Sequence, residues 1–434
     1  MAAAPARKKE AVLMLGAGGT GMRNLAFLLR EGGAPVFAAD ANQNAAQKIA
    51  ALRGTTVIGE AEAHARIADV NLVVYSDALP QDHGLLEAAR AGGKHVLSYH
   101  EMVARLAGGK KLVAVAGTHG KSSTAAMLAR ILIDADLDPT VLLGADVLEW
   151  QGRGARAGKG AFFVVEADEY RNHFLSYTPA HVVITSIDFD HPDYFSSLAA
   201  VRQSFSAFLR RLAPGGSVVT LPAVKAAHPD LPWPNTTQVA ARERLVLRVP
   251  GDHMLDNAAL AKAMAVTLGV PAQAATASLE NFVGLSRRAE IIGDFKGMII
   301  VSDYGHHPTA IAATYAALRG HYPGKRIAVL FEPHTVSRLA ALPDEFAASL
   351  AATDGVVLAP VFIPPGREQE TQEAATLLAF LAEKLQKKKV YAHILPSYDG
   401  LPSTLTELAH DFDVVVAFTA GVLDEHLRRL VSKG

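Results

Sequence analysis

The stretch Lys111-Leu-Val-Ala-Val-Ala-Gly-Thr-His-Gly-Lys-Ser-Ser-Thr124 constrains this chain more than any other. Residues 111–116 form a short apolar run, the pattern of a buried parallel strand. The run breaks at Gly117 and restarts at Ser122 as an Ala- and Leu-rich helix extending to about residue 135. A strand, a glycine turn and a helix in that order aim backbone N–H groups into one concavity, and the helix start adds partial positive charge. Lys121 supplies a full charge for β/γ-phosphates, and Ser122 a hydroxyl where phosphate loops hold Mg²⁺. The strict pattern G-x-x-x-x-G-K-[ST] requires glycine at Val115, so the turn is a compressed variant. Nucleotide triphosphate binding by Gly117, Thr118, His119, Gly120, Lys121, Ser122 and Ser123 is the expectation.

At 434 residues the chain has room for about three domains of ordinary size. Half its residues are hydrophobic and 20% are charged, which suits an α/β enzyme. A formal net charge of −1 gives no electrostatic argument for a nucleic-acid or membrane-surface partner. With no cysteine, thiolate metal sites, disulfides and a Cys nucleophile are excluded, and a reducing cytoplasm is compatible. The tail ahead of residue 10 lacks an apolar segment and reads as solvated rather than as a signal peptide.

Residues 11–15, 35–39, 56–58 and 71–75 alternate as strands with helices, a Rossmann-like pattern. Gly16, Gly18 and Gly21 satisfy G-x-G-x-x-G, and Asp40 ends the second strand near where a ribose contact belongs. Alone, that signal is weak and fits an NAD-linked oxidoreductase equally well. It leaves Lys121, Ser122 and Glu166 without a role. Strands at 162–168 and 181–187, a helix at 198–212 and a strand at 217–221 follow the phosphate turn, while 222–250 stays unassigned. A helix at 254–268 precedes a third alternating block, with strands at 298–303, 326–332, 355–362, 390–395 and 413–418.

Polar residues collect at strand ends, where open α/β sheets place ligands. Glu166, Asp168 and Glu169 end one strand, and Asp188, Asp190 and His191 end the next. Glu166 with Ser122 offers hard oxygens to Mg²⁺, and His191 an imidazole to a second ion. Residues 302–309 carry His306 and His307 next to each other, and an extended backbone lets at most one of them serve the site. His334 and Arg338 are handles for a carboxylate or phosphate.

Segments 16–22, 117–124, 166–169, 185–191, 250–257, 284–288, 303–309 and 331–338 together resemble the Mur ligase family, in order and over nearly the whole chain. The resemblance implies three α/β domains: a Rossmann-like UDP-sugar domain (1–108), a central ATP-binding phosphate-loop domain (109–286) and a Rossmann-like C-terminal domain (287–434). It implies that Gly18, Gly19, Thr20, Gly21, Met22, Asp40 and Ser76 face UDP rather than NAD. It further implies that His253 and Asn257 lie near adenine, that Arg288 and His306 approach the phosphates, and that Asp303 holds the ribose. Tyr304, His334 and Arg338 would serve the amino-acid site, and Ser122, Glu166 and His191 the metal.

The implied activity is ATP- and Mg²⁺-dependent amide ligation through an acyl phosphate, with Lys121, Glu166, His191, His306 and Arg338 at the reacting groups. The implied enzyme is a cytoplasmic monomer or weak homodimer. The motifs lean toward the branch that joins L-alanine to UDP-N-acetylmuramate, with a tripeptide-attaching branch as the rival. In this chain Ser122 stands where the family usually has threonine, Thr335 where arginine is usual, and Thr419-Ala420-Gly421 where a Gly-Ala-Gly turn is usual. The last two leave open a nucleotide-binding protein that has lost turnover.

Overall fold

The computed structural model describes residues 10–40, 54–243, 245–363 and 370–431. Most of the N-terminal tail and the Pro-Pro-Gly-Arg run at 364–367 lie outside them. Three sheets follow one another along the chain. The first is parallel throughout, in the order Thr55–Ile58, Val36–Ala39, Val12–Leu15, Leu72–Tyr75, His95–Ser98. That is the Rossmann order, in which strand direction of travel reverses beside Val12–Leu15. The edge strand His95–Ser98 was not expected from sequence. It is a short strand with little burial and no apolar run.

The central sheet runs Thr237–Val239, Ser217–Thr220, His181–Ile184, Lys111–Ala116, Phe162–Ala167, Thr140–Val147, Arg153–Arg156, antiparallel only at the last pair. Lys111–Ala116 sits in the middle, and its neighbours on the two sides come from later crossovers. A crevice therefore opens at its C-terminal end. The apolar residues of this strand are buried on both faces, as is most of the helix Lys121–Asp134 behind it. The helix Asp252–Thr267 covers that helix in turn and belongs to the same apolar cluster. The unassigned stretch 222–250 contributes a short helix, Pro222–Ala227, and the edge strand Thr237–Val239.

In the third sheet the order is Glu290–Phe295, Met298–Asp303, Val414–Thr419, Ile327–Glu332, Gly355–Leu358, Ala392–Ile394, with only the first pair antiparallel. Among the described residues no helix is long and apolar enough to cross a membrane.

Side chains tie the first two sheets together. The helix Thr20–Glu31 packs on the hairpin formed by Thr140–Val147 and Arg153–Arg156. Asn24, 3% exposed, donates from Nδ2 to the Leu143 carbonyl at 3.0 Å and accepts from the Gly154 N–H at 3.1 Å. Truncation to alanine strands both backbone groups in a buried place. Asn24→Ala is expected to cost about 1–3 kcal/mol, read as a lower chemical denaturation midpoint; an unchanged midpoint would remove Asn24 from this role.

Candidate active site at the domain junction

The phosphate turn is pinned from one side. Thr118 N–H donates to the Ser186 carbonyl (3.1 Å), His119 N–H donates to Ser186 Oγ (2.8 Å), and Asp188 N–H donates to Thr118 Oγ1 (2.9 Å). Two glycines are required by this packing. Gly117 (φ +140°) would drive a Cβ into Thr185 Oγ1, and Gly120 (φ +81°) would drive one into Asn257 Oδ1. Lys121 opens the helix, whose first N–H groups have no intrahelical acceptor and face the crevice mouth.

Lys121 Nζ lies 2.8 Å from Glu169 Oε2 and 2.6 Å from the Gly117 carbonyl, with the two side chains only 14% and 2% exposed. Burial opposes its charge, but the Glu169, Asp168 and Glu166 carboxylates outweigh burial and hold the ammonium above its ordinary pKa. The other Glu169 oxygen, Oε1, is buried without a partner. Asp168, partly exposed, would have its pKa raised by desolvation, yet His173, Lys121 and His191 bring it down to about 2.

Ser122 Oγ donates to Glu166 Oε1 at 2.9 Å, and Gly144 N–H donates to Glu166 Oε2 at 2.9 Å. These are hard oxygens beside a phosphate turn, a donor set that fits Mg²⁺. His191 does not join that pair. With φ +56°, it turns its imidazole toward Asp168 and Glu169, and ligand atoms of these three lie within 4.8 Å of one another. The anticipated metal residues thus divide into two neighbouring sets.

The C-terminal domain closes the crevice from the other side. Arg338 Nε and Nη2 both lie 2.8 Å from Asp190 Oδ1, in an ion pair 5% and 7% exposed. Burial alone would raise the Asp190 pKa, but Arg338 and the nearby histidines hold it far below the usual carboxylate range. Thr335, at φ +71°, caps the short helix Val336–Ala341 that carries Arg338, its Oγ1 accepting from Arg338 N–H at 3.4 Å. His334 lies beside this pair, with Nδ1 3.3 Å from Arg338 Nη1. Burial and the Arg338 charge lower its pKa to about 4.

His306 and His307 both border the junction, on different sides of it. Their side chains do diverge, but the junction wraps both sides. The His306 ring lies 5.4 Å from His334, while the His307 ring lies 4.8 Å from His119 and its Nε2 3.2 Å from the Phe189 carbonyl. Burial lowers both pKa values.

Arg288 reaches across to Ser122 Oγ (3.5 Å), and its guanidinium lies over the Tyr304 ring, as does that of Arg287. The Asp303 carboxylate accepts from Ala289 N–H (2.8 Å) and Gly305 N–H (2.7 Å). Asn257 abuts the turn at Gly120, and the half-buried His253 lies near Asp303 and Arg288, desolvation lowering its pKa. Ser123 is buried at the start of the turn's helix.

The glycine loop of the first domain is a separate place. Gly18 N–H donates to Asp40 Oδ2 at 2.7 Å, and Gly16 turns at φ +68° with its Cα side against Ser76. Gly19 caps the helix opened by Thr20 and Gly21, and Met22 is buried beneath it. Sequence reasoning missed Thr185, Ser186 and Phe189, which pin the turn and receive His307. Their signals were position, at the end of an apolar strand, and the place of segment 185–191 in the family resemblance.

Family models match three consecutive segments: "Mur ligase family, catalytic domain" at residues 12–111, "Mur ligase middle domain" at 115–228 and "Mur ligase, glutamate ligase domain" at 287–421. The chain is 34% identical to the UDP-N-acetylmuramate–L-alanine ligase of Desulfitobacterium hafniense, covering 82% of this chain and 85% of the relative. With the enzyme of the same name from Frankia casuarinae it shares 35% identity, covering 95% and 93%. Among solved structures, the UDP-N-acetylmuramate-alanine ligase MurC of Thermotoga maritima superposes with a TM-score of 0.77 at 22% identity, covering 97% of this chain and 98% of that one. A murein peptide ligase from Psychrobacter arcticus gives 0.73 at 23% identity over the same shares.

Proposed function

Because the chain belongs to the Mur ligase family, we propose that it joins L-alanine to UDP-N-acetylmuramate at the expense of ATP, in peptidoglycan precursor synthesis. The sugar carboxylate attacks the γ-phosphorus, ADP leaves, the amine of alanine attacks the acyl phosphate, and phosphate departs. The enzyme works in the cytoplasm as a monomer or weak homodimer. Residues 1–108 hold the UDP sugar, 109–286 the ATP, and 287–434 close over both.

One observation carries this reading. Lys121, the first N–H groups of the helix Lys121–Asp134, and Arg288 from another domain converge on one crevice. Two anions, a carboxylate and a γ-phosphate, must meet for the reaction, and dense fixed positive charge is what lets them. Lys121 exchanges Glu169 for the β/γ-phosphate oxygens when ATP enters. Ser122 and Glu166 would hold Mg²⁺, with His191, Asp168 and Glu169 as donors for a second ion; bound there, such ions neutralise phosphate charge.

His253 and Asn257 lie by adenine, Asp303 by the ribose, and His306 by the phosphates. Tyr304, His334 and Arg338 border the amino-acid site. Gly18, Gly19, Thr20, Gly21, Asp40 and Ser76 serve UDP, the backbone N–H groups taking the diphosphate. The buried Arg338–Asp190 pair keeps the third domain seated, which excludes water from an intermediate it would hydrolyse.

The test is phosphate release on mixing ATP, Mg²⁺ and UDP-N-acetylmuramate with each amino acid in turn. Release should be strongest with L-alanine. Release only with a preformed tripeptide would transfer the chain to the tripeptide-attaching branch, and no release with any acceptor would leave a nucleotide-binding protein.

A further inference from the structure

The turn Thr419-Ala420-Gly421, which departs from the family's usual Gly-Ala-Gly, is held by a buried carboxylate that no step of the ligation touches. Glu332 ends the strand Ile327–Glu332 and stands opposite Thr419, the last residue of Val414–Thr419, in the parallel register. Both residues are fully buried. Glu332 Oε1 accepts from Tyr398 Oη, from Val422 N–H at 3.2 Å and from Leu423 N–H at 3.1 Å. Glu332 Oε2 accepts from Thr419 Oγ1 and from Gly421 N–H at 2.9 Å. All these donors are neutral. The backbone ones lie at the start of the helix Leu423–Leu430, which favours an anion there. Burial and the Glu332 charge hold the Tyr398 pKa far above its ordinary value, so that hydroxyl stays a donor.

The turn also touches residues on two sides of the domain junction. On one side, the Thr419 carbonyl accepts from Arg287 Nη2 at 3.4 Å, and the Arg287 guanidinium lies 4.6 Å above the Tyr304 ring. On the other, a Cβ on Gly421 would lie 2.6 Å from both Glu332 Oε2 and the Phe362 ring. Phe362 in turn stacks on His334, with centroids 5.3 Å and planes 12° apart, and its N–H donates to the Pro333 carbonyl at 2.8 Å.

On the reading that Tyr304 and His334 border the amino-acid site, we propose that Glu332 and Thr419 are its positioning residues: the carboxylate locks the turn, and the turn sets where those two side chains stand. Two features favour this over a simple helix cap. Caps are ordinarily supplied by a Ser, Thr, Asp or Asn next to the helix. This one comes from another strand, 87 residues away from Thr419 and directly ahead of Pro333-His334. In addition, the glycine usual at position 419 has no hydroxyl, so Thr419 adds a donor to the lock that the usual residue lacks.

The experiment uses the full-length protein and whichever acceptor releases phosphate. Thr419→Ala should raise the acceptor KM by about tenfold and leave the KM values of ATP and the UDP sugar within about twofold, since a group misplaced by about 1 Å costs up to about a hundredfold. Thr419→Ser keeps the hydroxyl and should restore the acceptor KM. Glu332→Gln should do at least as much harm as Thr419→Ala, because either orientation of the amide turns its NH₂ toward a backbone N–H. If Glu332→Gln does not fold, Thr419→Ala carries the test, with four donors still on the carboxylate.

A second readout needs no turnover. The His334 imidazole proton resonances, shifted by the Phe362 ring against it, should move in Thr419→Ala and return in Thr419→Ser. Absence of phosphate release with every acceptor would therefore count against ligation, while the spectrum still decides the lock. His334 resonances that stay in place in Thr419→Ala, or KM values that rise equally for all three substrates, overturn the proposal; a lower melting temperature alone would make the pair a staple of the sheet.

Discussion

Lys121→Ala is expected to lower the kcat/KM of ligation by about a thousandfold or more, the scale of losing a charged stabiliser at the developing anion. Binding of the UDP sugar should stay close to normal, because the glycine loop proposed to hold it lies in another domain. The substitution also has a structural cost that must be separated from the chemical one. Glu169 is 2% exposed, and without Lys121 it is a buried carboxylate with no partner. Breaking a buried pair from one side costs about 3–5 kcal/mol.

The pH dependence identifies that cost. A lone buried Glu169 has its folded-state pKa raised by desolvation, so the variant is least destabilised below the unfolded carboxylate value of about 4.3 and loses stability as pH rises through the higher folded value. Adding Glu169→Gln should restore the melting temperature while ligation stays lost. Recovery of activity in the double variant would make Lys121 a structural residue only.

Arg338→Ala should have the second largest effect. It leaves Asp190, 7% exposed, as an uncompensated charge between the central and C-terminal domains. The expected loss is about 3–5 kcal/mol of docking, seen as a lower melting temperature and faster proteolysis between the domains. The Asp190 carboxyl is held far below its ordinary value by Arg338 against the effect of burial, so its folded pKa is depressed. The pair's contribution is therefore fully present above the unfolded Asp value of about 3.9 and is lost only as pH falls below it. The gap in melting temperature between wild type and Arg338→Ala should be flat from neutral pH to about pH 5 and shrink on further acidification. Equal melting temperatures at neutral pH would mean that the ion pair does not seat the domain.

How much of this was legible beforehand depended on whether local pattern or tertiary contact set the feature. The strand–turn–helix at 111–134 was plain because a continuous apolar run, a glycine break and an alanine-rich helix are all local signals. The Rossmann alternation of the first hundred residues was equally plain. The hairpin of Thr140–Val147 and Arg153–Arg156 escaped because its strands mix glycine and charged residues with apolar ones. Glu290–Phe295 escaped for the same reason, with an exposed edge and a bulge near Gly293.

The site shows a similar division. Lys121, Ser122 and Glu166 were visible as strand-end chemistry, and they do meet, Ser122 and Glu166 at 2.9 Å. The Glu169 contact to Lys121 and the Asp190 contact to Arg338 were not visible. Each is a partnership across 48 and 148 residues that only the packed junction creates. For His306 and His307, alternation along the strand end separated the two rings, while the neighbours that each meets, His334 and His119, come from packing that alternation does not describe. The naive reading of Gly16–Gly18–Gly21 as a dehydrogenase loop shows the converse, since the same loop geometry serves any diphosphate.

The central claim is that charge at this crevice brings the sugar carboxylate and the γ-phosphate together so that they react. It is tested most directly with UDP-N-acetylmuramate carrying ¹⁸O in its carboxylate, by following the label during one round of ligation to L-alanine. An acyl phosphate transfers one carboxylate oxygen to the departing phosphate, so the released phosphate should carry ¹⁸O. Unlabelled phosphate, released in step with amide formation, would contradict the account.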